Sequence, residues 1–142
     1  MESIVDLNTL PHQFPFRFIS SVTKYVPTQL LIAHYNFTDQ EKHFGKSEYV
    51  PSSILIEGLA QTAVIFTQLE TKPLTDEEFP LLGSVKAKFY EAVRWTEDIT
   101  YIIDPIRIFA KQALLTAVLY SGGRKKVSVT LSVAIATKTP KN

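Results

Sequence analysis

Cysteine is absent from the sequence, which excludes a disulfide framework, thiolate metal sites and a cysteine nucleophile. An excess of charge of either sign is also missing, because 15 basic residues face 14 acidic ones. A polyanion such as DNA or RNA is therefore not an expected partner. No segment combines a basic start, an apolar stretch and a small-residue cleavage site in the manner of a signal peptide. These absences together lead us to expect a cytoplasmic protein.

Long uninterrupted apolar runs are missing as well. The most apolar stretch, residues 54–66, is interrupted by Glu57 and Gln61 and is shorter than the roughly 18–20 residues of a membrane span. We expect it to be a buried helix, and we expect no membrane span. The sequence also lacks a glycine-rich phosphate loop, an HExxH motif and a Gly-x-Ser-x-Gly motif. With 142 residues, 45% of them hydrophobic, the chain fits a single domain over residues 1–142.

Hydrophobic periodicity predicts one long helix and about five or six strands, which is the content of an α+β domain. The helix is predicted to begin at Pro51 and Ser52, which suit a helix start, and to end near Glu70. Its apolar residues cover most of its circumference, so it has to be enclosed by a curled sheet or by a partner chain. Strands are predicted over residues 18–26, 29–37, 85–90, 98–109, 112–120 and 125–137. The last two are predicted to form a hairpin around residues 121–124, which contain Gly122 and Gly123.

Three segments between or after these elements are predicted to be irregular. Residues 38–50 are polar and show neither the helical nor the strand period, which indicates a loop of the length that often carries function. A turn is predicted over residues 73–80, and a short tail over residues 138–142.

The three histidines, His12, His34 and His43, are candidates for acid–base chemistry. His34 lies within a predicted strand, and His12 lies between prolines, where an imidazole usually binds local carbonyl groups. His43 lies in the predicted loop, eight residues before the helix start, where a rigid scaffold can present it. We therefore favour His43 among the three.

Glu57 is the most informative residue, because an ionised carboxylate within an apolar helix costs several kcal/mol unless it is paired or neutralised. One polar stripe, interrupted by Val64, runs along the predicted helix and consists of Ser53, Glu57, Gln61 and Gln68. Two interpretations stay open. Glu57 and Gln61 bind each other or the nearby backbone in a structural role, or Glu57 is a desolvated acid that faces a pocket.

Four sequence segments, in their order and spacing, resemble the motifs of one known family. They are LPHQFPF at residues 10–16, HF at 43–44, PSSILIEGLAQ at 51–61 and GSVKAKF at 83–89. His43 and Glu57 are 14 residues apart, which is the spacing of the catalytic histidine and glutamate in that family's motif. The chain resembles the hot-dog fold 3-hydroxyacyl-acyl-carrier-protein dehydratases of bacterial fatty acid synthesis.

The resemblance implies a long central helix wrapped by a curved antiparallel sheet, and a homodimer whose two sheets join. It implies a site at the dimer interface, where His43 of one chain acts as general base opposite Glu57 of the other as general acid. The backbone N–H of Ser52 would bind the thioester carbonyl, and Gln61 would be a further substrate-binding residue. No metal or redox cofactor is implied.

The resemblance further implies that the substrate arrives on the phosphopantetheine arm of an acyl carrier protein. Because such carriers are acidic, a basic rim is expected near the site. The candidate rim residues are Lys86, Lys88, Arg94, Arg124, Lys125 and Lys126.

The sequence departs from the family pattern beside the expected catalytic residues. The family has glycine before the histidine and opens its helix with Pro-Gly, whereas this chain has Lys42 and Pro51-Ser52. Two alternatives therefore stay open. One is an acyl thioesterase of the hot-dog fold in which Glu57 activates water, and the other is a non-catalytic subunit that binds acyl chains or an active paralogue.

Overall fold

One long helix packs against a six-stranded antiparallel sheet, which confirms the predicted α+β content. The structure is a computed structural model and describes residues 2–70, 75, 77–109 and 111–137. The predicted tail at 138–142 lies outside the described residues, as do positions 73, 74 and 76 of the predicted turn.

The sheet follows the strand order β1-β2-β4-β5-β6-β3, and every neighbouring pair is antiparallel. Its strands are β1 (Ser21–Val26), β2 (Leu30–Asn36), β3 (Glu78–Phe89), β4 (Asp98–Phe109), β5 (Gln112–Ser121) and β6 (Arg124–Thr137). The α-helices are α1 (Glu41–Phe44) and α2 (Ser52–Glu70), and two short 3₁₀ turns cover Leu7–Thr9 and Thr38–Gln40.

The predicted strands are confirmed with small shifts of boundary, and two predictions need correction. The segment 38–50 is not a plain loop, because it contains a 3₁₀ turn and the short helix α1, so His43 lies on a helix. Strand β3 begins at Glu78 and includes Pro80, which the sequence pattern assigns to a turn. The hairpin turn between β5 and β6 is confirmed, and its Gly122 and Gly123 have φ of +58° and +73°, which suit glycine.

Helix α2 is buried along most of its length, as its apolar circumference predicts. Eleven of its 19 residues are buried, and they pack against alternate residues of the central strands such as Leu115 and Leu131. Each fully buried aliphatic side chain contributes about 1.5–3 kcal/mol, so this layer is the main source of stability. By length and composition α2 is long and apolar enough to cross a membrane, but 61% of that segment is buried in the fold, as in a core helix.

Gly58 allows the closest approach between α2 and β4. A Cβ atom at this position would lie 2.2 Å from the hydroxyl oxygen of Tyr101. That hydroxyl donates a 2.7 Å hydrogen bond to the carbonyl oxygen of Phe18. Burial raises the pKa of Tyr101, which keeps the hydroxyl protonated and able to donate. The packing of the helix on the sheet thereby fixes the segment that leads into β1.

The β1 edge of the sheet is covered by the N-terminal residues. The amide of Ile4 donates to the carbonyl oxygen of Val22 at 2.8 Å, and the amide of Val22 donates to Ser3 Oγ at 2.9 Å. Ser3 Oγ in turn donates to the carbonyl oxygen of Val5 at 2.8 Å. These bonds occupy backbone groups that an edge strand otherwise leaves open.

The β3 edge is uncovered, since none of the strands that the structure describes pairs with its outer side. The alternation of the sequence predicts one wet face for this strand, but both of its faces are largely exposed. Leu82, Val85 and Phe89 pair with inward-facing positions of β6 and therefore lie on the helix side of the sheet. They remain 39%, 37% and 47% exposed, which leaves an apolar strip at this edge.

Candidate active site

The side chains of His12 and Gln61 both reach the same oxygen of Glu57. Glu57 lies about one and a half turns into α2, and Gln61 follows one turn later on the same face. Gln61 Nε2 lies 3.2 Å from Glu57 Oε2, and His12 Nε2 lies 3.3 Å from that oxygen. Within the part of the chain that the structure describes, Glu57 Oε1 forms no hydrogen bond or ion pair. The carboxylate is therefore held at one oxygen and open at the other.

The segment 10–18 crosses α2 and is fixed there by hydrogen bonds on both sides of His12. Gln61 Oε1 accepts from the Phe18 amide at 2.8 Å, and Gln61 Nε2 donates to the Phe16 carbonyl oxygen at 2.7 Å. Arg17 Nε donates to the carbonyl oxygen of His12 at 2.9 Å. The backbone around His12 is thus anchored to the helix, and its ring is directed at Glu57 rather than at local carbonyl groups.

Two cavities meet at His12 and Glu57, which line both of them. The larger, of about 610 Å³, lies between the segment 10–18, α1 and the start of α2, and its walls include Phe16, Phe44 and Ile54. The smaller, of about 300 Å³, lies between α2 and the start of β3; Ala60, Val64, Phe79 and Leu82 are among its walls. Mostly apolar walls around a few polar groups are typical of small-molecule sites.

The carboxylate of Glu57 is not desolvated within one chain. Its side chain is 42% exposed, because the two cavities on either side of it are open. The sequence pattern favours either a structural contact with Gln61 or a desolvated acid facing a pocket. The contact with Gln61 is present, and the carboxylate also faces a pocket. Within one chain, however, nothing among the described residues shields the carboxylate from solvent.

His43 lies on α1 and is not brought to Glu57 within one chain. Its side chain is exposed, and its ring packs edge-on against Phe14 with ring centroids 5.3 Å apart. It belongs to the walls of neither cavity. The pairing of His43 of one chain with Glu57 of a second chain therefore stays a prediction.

Ser52 begins α2, and its neighbours Pro51 and Ser53 line the larger cavity. The amides of Ile54 and Leu55 both donate to the carbonyl oxygen of Pro51. The amide of Ser52 has no acceptor among the described residues, as expected for the first residue of a helix. A free amide at the positive end of a 19-residue helix favours an oxygen that carries negative charge.

Gln61 is 1% exposed, and its side-chain amide is bound to protein atoms at both its oxygen and its nitrogen. It also lines the smaller cavity. Contact between Gln61 and substrate stays a prediction, whereas its contacts with Glu57 and with the segment 10–18 are present in the structure.

Three of the six basic residues expected at a rim are held in ion pairs. Arg124 donates to Glu91, and Lys126 Nζ lies 2.9 Å from Glu91 Oε1. The hydrogen bonds from Arg124, followed by those from Lys126, lower the pKa of Glu91 to about 2. Arg94 lies 3.5 Å from Glu48.

The other three rim candidates are exposed. They are Lys86, Lys88 and Lys125. Lys86 and Lys88 lie on β3, the uncovered edge strand. Lys88 and Lys125 both approach the ring of Tyr90, with Nζ atoms 5.3 and 5.6 Å from its centroid. Among the six rim candidates, the three without an ion pair in the described part of the chain therefore lie beside the uncovered edge.

Similar curated proteins carry the name 3-hydroxyacyl-[acyl-carrier-protein] dehydratase FabZ. The protein of Chlamydia caviae is 30% identical over 138 residues, which cover 93% of this chain and 90% of that protein. The protein of Enterococcus faecalis is 26% identical over 131 residues, which cover 89% of this chain and 92% of that protein. No family model matches the chain.

Solved structures with the same architecture include thioesterases. A mutant thioesterase from Pseudomonas aeruginosa has a TM-score of 0.68 at 12% identity and covers 84% of this chain and 81% of its own. A Streptococcus mutans protein bound to acetyl-CoA has a TM-score of 0.70 at 6% identity, with coverage of 92% and 98%. At such identities the likeness shows the fold alone, and it confirms the hot-dog prediction. The near-complete alignment with the Chlamydia protein shows the family: this chain belongs to the FabZ family of 3-hydroxyacyl-[acyl-carrier-protein] dehydratases.

Proposed function

We propose that this chain removes water from 3-hydroxyacyl thioesters carried by acyl carrier protein, and that His43 of one protomer and Glu57 of its partner perform the reaction. The observation that carries the proposal is the position of the Glu57 carboxylate, at the junction of two apolar cavities. An acid at such a junction is suited to act on a polar group near one end of an apolar chain. Family membership supports the same reaction.

A second copy of the chain supplies the missing half of this site. The apolar strip of Leu82, Val85 and Phe89 is exposed on the helix side of β3, where no described element covers it. Leu82 also lines the smaller cavity beside Glu57. A two-fold pairing of β3 with its own copy joins the two sheets, covers the strip and closes the cavity at the same time. These features support a homodimer with its sites at the interface.

The proposed reaction consists of two proton transfers and the loss of water. His43 takes the proton from the carbon next to the thioester carbonyl, and the electron pair of that C–H bond forms the new double bond. The bond to the 3-hydroxyl breaks, and Glu57 gives its proton to the departing oxygen, which leaves as water. Exchange with solvent then returns the proton from His43 to Glu57. Each positioned proton transfer contributes about 10²–10⁴-fold to the rate.

The amide of Ser52 is proposed to bind the thioester carbonyl oxygen. Negative charge develops on this oxygen when His43 removes the neighbouring proton, and the free amide at the start of α2 stabilises it. The serine side chain in place of a glycine leaves this backbone donor intact. The reaction needs no metal or redox cofactor, because it involves only proton transfer and loss of water.

Acyl carrier protein is proposed to dock beside the seam between the two β3 strands, where Lys86, Lys88 and Lys125 are exposed on each chain. Complementary charge mainly accelerates association and weakens with salt. Reversal of these three lysines to glutamate is therefore expected to raise KM for the carrier-linked substrate but not for the same acyl group on a short thiol. An equal effect on both substrates contradicts the docking proposal.

The test of the main proposal follows the absorbance of the enoyl thioester with a panel of 3-hydroxyacyl thioesters. We expect turnover by the wild type and by the control His34→Gln, whose position lies on the face of β2 opposite the buried residues. His43→Ala and Glu57→Gln are each expected to lose at least about 100-fold in turnover. Turnover that persists in both variants contradicts the proposal. Release of free thiol without enoyl product points to the thioesterase alternative, and no turnover by folded wild type points to the non-catalytic one.

A further inference from the structure

We infer that His12 is a positioning residue which, together with Gln61, holds Glu57 by its Oε2 atom so that Oε1 is the oxygen presented to the substrate. The inference deepens the proposed function and rests on it for the identity of the acid. It concerns the segment 10–18, whose histidine ranks below His43 as a candidate on sequence grounds.

The first step is the shared oxygen. His12 Nε2 and Gln61 Nε2 approach Glu57 Oε2 at 3.3 and 3.2 Å from two different elements, the segment 10–18 and helix α2. The hydrogen bond from Gln61 and the close approach of His12 together restrict the rotation of the carboxyl group more than a single contact does. The Glu57 side chain is 42% exposed toward the cavities, so without these contacts it is free to rotate.

The second step is the protonation of the His12 ring. Its Nδ1 atom is buried and has no hydrogen-bond partner within the described part of the chain. A proton on Nδ1 would bury an N–H group without an acceptor, which is costly. The neutral ring with its proton on Nε2 avoids this cost and places its one N–H group on the nitrogen that lies 3.3 Å from Glu57 Oε2.

The third step is the consequence for the acid. Because Oε2 accepts a hydrogen bond from Gln61 and lies 3.3 Å from His12 Nε2, the acidic proton of Glu57 belongs on Oε1, the oxygen without a hydrogen bond or ion pair among the described residues. When Glu57 gives up this proton, the negative charge that remains is stabilised by the same two N–H groups. His12 and Gln61 therefore both orient the acid and favour its proton transfer, without contact with the reacting atoms.

The test uses the fact that a glutamine side chain carries its nitrogen where histidine has Nε2, whereas an asparagine carries its nitrogen where histidine has Nδ1. We expect His12→Gln to keep kcat within about threefold of the wild type. His12→Asn is expected to lose about 10- to 100-fold in kcat with little change in KM, as misplacement of a catalytic group does. Gln13→Ala, the exposed neighbour, is the control and is expected to match the wild type in both constants.

Equal losses in His12→Gln and His12→Asn contradict the inference, because they indicate a role for the ring in packing. A change confined to KM also contradicts it, because it indicates contact with substrate. If the folded wild type shows no turnover, the proposed function is contradicted. The role of His12 can still be tested in that case, because NMR provides a second measurement. Long-range proton–nitrogen NMR is expected to show His12 protonated on Nε2 alone, and Glu57→Ala is expected to change the His12 signals and leave those of His34 unchanged. His12 signals that are identical in the wild type and in Glu57→Ala overturn the inference.

Discussion

The two edge strands of the sheet differ in what covers them. Strand β1 is capped by residues 3–5, through the bonds of Ile4 and Ser3 to Val22. Strand β3 has no such cover among the described residues, and it exposes Leu82, Val85 and Phe89 on the helix side. The difference supports the proposal that the second edge pairs with another copy of the chain. The candidate site lies beside that second edge.

The largest expected effect comes from a charge on the uncovered edge. Val85→Glu places a carboxylate in the strip that the second copy is proposed to cover, and an unpaired buried charge costs about 3–5 kcal/mol. Association is then at least about 100-fold weaker. Sedimentation is expected to show monomers, and turnover is expected to fall with the loss of dimer while the far-UV spectrum stays native.

Lys24→Glu on β1 is the matched control, because it introduces a carboxylate at the capped edge, where Lys24 is exposed. Its oligomeric state by sedimentation and its turnover are expected to equal those of the wild type. A Val85→Glu protein that remains dimeric, or that is monomeric and fully active, contradicts the role given to the β3 edge.

A smaller effect, on stability in acid, is expected just after β3, where Glu91 forms ion pairs with Arg124 and Lys126 of β6. The hydrogen bonds from Arg124 and Lys126 lower the pKa of Glu91 from 4.5 to about 2 in the folded chain. The stability that Glu91 contributes is therefore present above about pH 4.5 and is lost as the pH falls toward 2. Urea unfolding is expected to show a less steep decline of the unfolding free energy over this range in Glu91→Gln than in the wild type.

Glu48→Gln is the control for this prediction. Glu48 forms an exposed pair with Arg94, with a side chain that is 63% exposed, and such pairs contribute little. Its acid unfolding is expected to follow the wild type. If Glu91→Gln does so as well, the ion pairs do not anchor the end of β3.

The smallest effect is expected at the capped edge itself. Ser3→Ala removes the acceptor of the Val22 amide and the donor to the Val5 carbonyl oxygen. The free energy of unfolding is expected to fall by about 0.5–1.5 kcal/mol, measured by urea unfolding. The oligomeric state and the turnover are expected to stay unchanged. A change in the oligomeric state would show that β1 also takes part in association.

The fold could be predicted from the sequence because its elements carry strong local signals. The apolar residues that cover most of the circumference of residues 52–70 predict an enclosed helix, and Gly122-Gly123 predicts the hairpin turn. The missed parts have weaker local signals. Residues 41–44 form only one turn of helix, and Pro80 lies within β3 because the strand is held by its pairing with β6.

The site could be predicted only in part. The spacing within α2 predicts the contact between Glu57 and Gln61, which is local. The contact of His12 with Glu57 joins residues 45 positions apart in the sequence, and it depends on hydrogen bonds that fix the segment 10–18 on the helix. The polar stripe on α2 was the available signal, because a buried Gln61 needs partners from another element. The pairing of His43 with Glu57 stays a proposal, because it requires a second chain that no local pattern describes.

The most direct test of the central claim, that each site is shared between two protomers, is complementation between two inactive variants. His43→Ala and Glu57→Gln are each expected to be inactive alone. When the two chains are unfolded together, refolded and allowed to dimerise at random, about half of the dimers are hybrids with one intact site, so about a quarter of the wild-type turnover should return. Hybrid dimers verified by mass spectrometry that show no turnover would contradict the shared site.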